Sequence, residues 1–132
     1  MGVNENRLAS RRIVDEILNA GDLESFDELV HPAYVDGFDG SGSDEYRELL
    51  QVMRSAFPDL HLTIEDEVAE GDKVVGRFLL RGTHRGEFLG LAPTGRQVEF
   101  DGIGIVQFRD GRMVSRWNVS DVYGLLGQLR SG

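Results

Sequence analysis

Residues 98–121, VEFDGIGIVQFRDGRMVSRWNVSD, carry two β-type runs around one turn, and they decide how the chain is read. Val98–Arg109 is rich in valine, isoleucine and phenylalanine. Asp110-Gly111 tolerates the backbone of a tight hairpin turn, and Met113–Val119 is the returning strand. Upstream, Lys73–Arg81 (KVVGRFLLR) is a strongly apolar strand entered through the turn Glu70-Gly71-Asp72. Before it, His61–Glu67 (HLTIEDE) alternates, with Leu62 and Ile64 marking the buried direction. Gly76, Gly82, Gly102 and Gly104 interrupt these runs where a sheet would kink and curve.

Ahead of Pro58 the period is helical. Leu8, Ala9, Ile13, Val14, Ile17 and Leu18 form one stripe over residues 5–19, closed by Asn19-Ala20-Gly21. Asp22 caps a short helix over 23–30, which His31-Pro32 stops. Residues 33–43 (AYVDGFDGSGS) read as an exposed loop. Ser43-Asp44 opens a third helix to about residue 56, with Tyr46, Leu49, Leu50, Met53 and Phe57 on its apolar side. Residues 121–130 read as a short helix or irregular cap. Helices followed by about four antiparallel strands predict one α+β domain over residues 1–132. Three N-terminal helices pack in the concave face of a curved antiparallel sheet, leaving a conical internal pocket.

Charge and composition narrow the function. With 14 basic and 23 acidic residues in 132, the net charge is −9, and no basic cluster offers a face for nucleic acid. There is no cysteine, so disulfides, thiol nucleophiles and thiolate metal sites are excluded. His31, His61 and His84 have no H-x-H or H-x-x-x-H spacing, which predicts no metal. Gly40-Ser41-Gly42 and Gly102-Ile103-Gly104 do not open a helix after a strand, so no dinucleotide motif is present. The start, MGVNENRLASRR, has no apolar core of a signal segment, and a cytoplasmic protein without membrane contact is expected.

Several stretches now resemble a known family. Asn19-Ala20-Gly21-Asp22, Ala56-Phe57-Pro58-Asp59, Glu70-Gly71-Asp72, Gly82-Thr83-His84-Arg85-Gly86, Pro93-Thr94-Gly95 and Asp110-Gly111-Arg112 follow the order of SnoaL-like polyketide cyclases. Arg116-Trp117 followed by Asp121 completes the pattern. That family belongs to the nuclear-transport-factor-2-like, or cystatin-like, α+β superfamily, and the resemblance spans residues from about 5 to 130. It implies cofactor-free, aldol-type ring closure of a hydrophobic polyketide ester by an acid/base carboxylate, here Asp121, and a homodimer packed through the outer sheet face. The superfamily also includes limonene-epoxide-hydrolase-like and ketosteroid-isomerase-like enzymes and non-catalytic small-molecule binders.

The candidate residues each carry two readings. Asp121 is either the acid/base group or the N-cap of the tail helix. Counting by two, Met113, Ser115, Trp117, Val119 and Asp121 share a face if the strand is regular, which would set Trp117 beside the carboxylate. Trp117, Phe57, Phe78, Phe100, Met53 and Tyr123 are either core or substrate wall. His84 either shuttles protons or organises its loop. Arg77, on the same face as Arg81, either pairs with Asp101 or Glu99 or holds an enolate oxygen. Asp36 falls at the pocket entrance, where many relatives follow it with histidine or asparagine and this chain has Gly37. Two further departures are Arg116, where relatives often have histidine, and Gln107, where a charged residue is frequent.

Overall fold

The computed structural model describes residues 2–130. Helix α1 (Val3–Arg12) runs on into a wider π-helical segment, Ile13–Asn19, whose Ala20 N–H reaches back to the Asp15 carbonyl at 3.1 Å. Ala9, Ile13, Val14 and Ile17 are buried as the stripe predicts, while Leu8 is exposed. The Asp22 carboxylate accepts from Glu24 N–H at 3.0 Å and opens a short 3-10 turn, Leu23–Ser25, that leads into α2 (Phe26–Leu29). Helix α3 is Ser43–Ala56, and α4 is Val122–Arg130.

Among the described residues the sheet has five strands, β1 (Val30–Asp36), β2 (His61–Glu70), β3 (Lys73–Thr83), β4 (Gln97–Arg109) and β5 (Arg112–Ser120), in the order β1-β5-β4-β3-β2. β2 to β5 pair antiparallel as the sequence predicts. The fifth strand is a correction. Residues 30–36 are not a helix end and loop but an edge strand parallel to β5. An edge tolerates Pro32, whose missing N–H breaks no central ladder. The register shift between Val30 and Val35 also removes the alternation that would have revealed the strand.

Register sorts the side chains into two faces. On the inner face, Glu67, Gly76, Gly104 and Asn118 form one row across β2, β3, β4 and β5; Ala69, Val74, Val106 and Arg116 form the next. On the outer face, Val68, Val75, Ile105 and Trp117 make a continuous apolar row. Two bulges set this parity. Glu65 is unpaired between Ile64 and Asp66 on β2, and Val114 is unpaired between Met113 and Ser115 on β5. One extra residue turns everything beyond it to the opposite face.

α4 returns against β4. Gln128 imitates a strand there: its amide donates to the Glu99 carbonyl at 2.7 Å and accepts from Glu99 N–H at 2.9 Å. Leu125 and Leu129 are thereby buried with Phe57, Leu60 and Phe100. Among the described residues, no helix is long and apolar enough to cross a membrane.

Candidate functional site

Between the helices and the inner sheet face lies a cavity of about 470 Å³. Its helical wall includes Ile13, Val14, Leu50 and Met53, and its sheet wall includes Leu62, Ile64, Phe78, Leu80, Phe100 and Val106. Leu49 and Val52 of α3, Leu89 of the loop before β4 and Val122 of α4 also line it while keeping much of their surface exposed. The glycines of the inner rows make room on the floor. The Phe78 ring lies over Gly102, where a Cβ would come within 2.7 Å of its Cζ, and the Asn118 amide oxygen lies over Gly104, 3.1 Å from where a Cβ would stand.

Polar groups interrupt this apolar lining at a few points. Arg116, Asn118 and Ser120 enter from alternate positions of β5, Tyr46 from α3, and Glu67 from β2. Asn118 Nδ2 donates to Ser120 Oγ at 3.2 Å. Glu67 is paired with Arg7 at 3.1 Å and lies 4.0 Å from Arg11. The Arg116 guanidinium sits 4.6 Å from the centre of the Tyr46 ring, which stacks on Tyr34 at 5.3 Å. Burial works against the Arg116 charge, but Tyr46, Tyr34 and Asp36 together hold the group cationic. Burial likewise raises the Tyr34 phenol, which stays neutral.

Met53, Phe78 and Phe100 line the cavity. Phe57 is fully buried behind that wall, against His84 at 5.7 Å and Phe88 at 5.3 Å. The other candidates lie elsewhere. Trp117 is on the outer face against Gly37, whose added Cβ would stand 2.2 Å from the indole. Asp121 does not reach the cavity either. Its Oδ1 accepts from Gly124 N–H at 2.8 Å, which makes it the N-cap of α4. The Val114 bulge is the reason for both, because counting by two from Met113 fails once the strand gains a residue. Tyr123 is 91% exposed.

Arg77 is on the outer face with its Nε 2.7 Å from Asp66 Oδ2, so it pairs with β2 rather than with Asp101 or Glu99. Asp66, Glu65 and Asp101 act on it there, but the Arg77–Asp66 pair is exposed, so it is not the buried Asp–Arg–Asp of an epoxide-hydrolase arrangement. Asp36 organises its own loop, with Oδ1 accepting from Phe38 N–H at 2.9 Å and Asp39 N–H at 3.2 Å. His84 is fully buried, and its Nδ1 meets Thr94 Oγ1 at 3.0 Å and Thr94 N–H at 3.2 Å. With its main chain bonded to Arg96 and Gly95, the histidine fastens the loop onto the end of β3. Sequence reasoning missed Glu67, Asn118, Ser120 and Tyr46 as cavity groups and noted Arg116 only as a departure. The available signal was the glycine pair Gly76 and Gly104, which clears the row that Glu67 and Asn118 flank.

A mixed sheet wrapped on helices around a cavity defines a cone-shaped α+β protein, and comparison with known proteins makes the class specific. The chain belongs to the SnoaL-like polyketide cyclase family, whose profile matches residues 9–129. It is similar to the aklanonic acid methyl ester cyclase AcmA of Streptomyces galilaeus, at 29% identity over 137 residues, covering 96% of this chain and 92% of that one. It is similar also to the nogalonic acid methyl ester cyclase of Streptomyces nogalater, at 26% identity over 84% of this chain and 87% of the relative. Among solved structures, TsrD of Streptomyces laurentii superposes with a TM-score of 0.89 at 29% identity, covering 98% of each chain.

Proposed function

We propose that the cavity binds a flat, hydrophobic carbonyl compound of polyketide type in the cytoplasm and promotes its intramolecular aldol-type ring closure without a cofactor. The observation that supports this reading is the cavity wall itself, which is apolar over most of its surface, with Glu67 and Asn118 on the two banks of a glycine floor. Three strand spacings separate the two backbones by roughly 14 Å, enough for two side chains and a substrate ring between them.

Ring closure requires a carbon beside a carbonyl to lose a proton, the enolate to attack a second carbonyl, and the new alkoxide to regain a proton. Asn118 Nδ2 keeps one hydrogen beyond its bond to Ser120, and it donates that hydrogen to the enolate oxygen as charge develops. Glu67, the carboxylate among the described cavity-lining residues, accepts the proton and returns it to the alkoxide. Acid/base work by Asp121 would require its carboxylate to leave the helix cap and enter the cavity.

The test is to incubate the protein with aklanonic or nogalonic acid, each as the methyl ester for which the two relatives are named and as the free acid, and to look by mass-resolved chromatography for an isomer of equal mass. Glu67→Gln and Asn118→Ala should each lower turnover at least about a hundredfold with binding retained. Full turnover in Glu67→Gln would remove it as the base. The second reading, a binder without chemistry, draws on the ion pair that already engages Glu67; binding of both esters with no isomer formed would favour it. We also propose a homodimer through the outer row Val68, Val75, Ile105 and Trp117, because an apolar sheet face of this extent gains by being covered.

A further inference from the structure

We propose that Arg116 is a carboxylate anchor: the cavity takes its ligand as an acid, with an ionised carboxylate seated against the Arg116 guanidinium. The inference deepens the cavity reading above and rests on it. A guanidinium keeps its charge at any pH a protein survives, and a charge drawn into an apolar wall is costly unless it is paired. Arg116 lines the cavity, and among the described residues its Nε is buried without a hydrogen-bond partner. Among the described residues, none of the ion pairs within 4.0 Å includes it.

Asp36 and Asp39 act on its charge from a distance, but their oxygens are bonded within their own loop and neither forms an ion pair with it. Asp36 faces it from β1, but Asp36 Oδ1 already accepts two main-chain N–H groups, and Oδ2 lies 3.4 Å from the Tyr34 hydroxyl. Asp39 accepts from the Ser41 hydroxyl at 2.7 Å and from Ser41 N–H at 2.8 Å. Glu67 stands across the sheet on β2, paired with Arg7. Tyr46 offers the cation its ring face and a side-chain hydrogen bond, which compensate part of the lost hydration but leave Nε without an acceptor. What the wall leaves open is an acceptor for the guanidinium edge that carries Nε, and a planar carboxylate can meet such an edge. Asp36 and Asp39 already act on Arg116, so a phosphate dianion would bring more negative charge than this wall balances.

Position adds a constraint. Arg116 and Asn118 are two residues apart on one strand, so their side chains leave the sheet about 7 Å apart. A ligand held by both has its carboxylate and its reacting carbonyl separated by about the width of one aromatic ring.

The test compares 2-naphthoate with methyl 2-naphthoate at neutral pH, by calorimetry and by the methyl resonances of Ile64, Leu80 and Val106. The expected result is that the carboxylate binds about tenfold tighter or more than the ester, both shifting these methyls. Arg116→Met should bring the carboxylate down to the affinity of the ester and leave the ester within about threefold. Should Arg116→Met not fold, the wild-type Arg116 Nε–H resonance serves: it should move on adding the carboxylate and stay in place with the ester. Equal affinity of the two probes for wild type, a preference that survives in Arg116→Met, or an Nε–H signal indifferent to the carboxylate overturns the anchor alone. Failure of both probes to shift the methyls overturns the cavity reading and the anchor with it.

Discussion

Asp121 gives the sharpest test, because its two roles respond in opposite ways to two small substitutions. Its Oδ1 takes the Gly124 N–H at 2.8 Å, its carbonyl takes the Leu125 N–H at 3.1 Å, and its own N–H is bonded to the Asp101 carbonyl at 2.9 Å. The residue thus joins the start of α4 to β4, and α4 carries Leu125 and Leu129 into the core. Asp121→Ala removes the side-chain cap at a cost of about 1 kcal/mol, which for a domain of this size lowers Tm by roughly 4 °C. Asp121→Asn keeps the cap, since asparagine caps as well as aspartate. It loses only the interaction of the charge with the helix N-terminus, a few tenths of a kcal/mol. Thermal unfolding and the cyclisation assay on both variants separate the roles. Capping predicts a drop of roughly 4 °C for Ala, about 1–2 °C for Asn, and turnover retained in both. Asp121→Asn with near-native Tm and turnover lowered a hundredfold or more would refute this and return the acid/base role to Asp121.

Other consequences are as direct. Gly37→Ala would drive a Cβ to 2.2 Å from the Trp117 indole, so it should destabilise by about 1–3 kcal/mol and shift the tryptophan emission; an unchanged denaturation midpoint would contradict that packing. Asp59 accepts from the Thr83 hydroxyl and from Thr83 N–H, both at 2.7 Å, and these bonds, the hydroxyl first, hold its carboxyl below the usual range. With the folded value depressed, its contribution is complete above the unfolded value near 3.9 and fades as pH falls below it. The Tm advantage of wild type over Asp59→Asn should therefore be constant at neutral pH and shrink below about pH 4; an advantage that grows on acidification would reverse the assignment. If the outer row is a dimer interface, Ile105→Glu should convert the species seen by sedimentation to one of 14.7 kDa, and a wild-type protein already of that mass removes the interface.

Much of the fold was legible because it is written in local pattern. The change of period at Pro58, the Asp110-Gly111 turn and the apolar run of β3 depend on neighbouring residues alone. Strand β1 was hidden because its order comes from pairing with β5, not from its own composition. The cavity residues were hidden for a related reason. A bulge is fixed by how a strand meets its partner, and nothing in Val114 or Glu65 announces one. Yet each reverses the faces downstream. Straight strands would have turned Val68 and Trp117 inward and left Glu67, Arg116 and Asn118 on the surface. The bulges account for two features at once, the polar groups inside the cavity and the apolar row outside it. A ligand that needs the first and a partner that covers the second would both depend on the same two inserted residues. Deleting Val114 should therefore lose ligand binding and self-association together, whereas Arg116→Met should lose only the preference for a carboxylate.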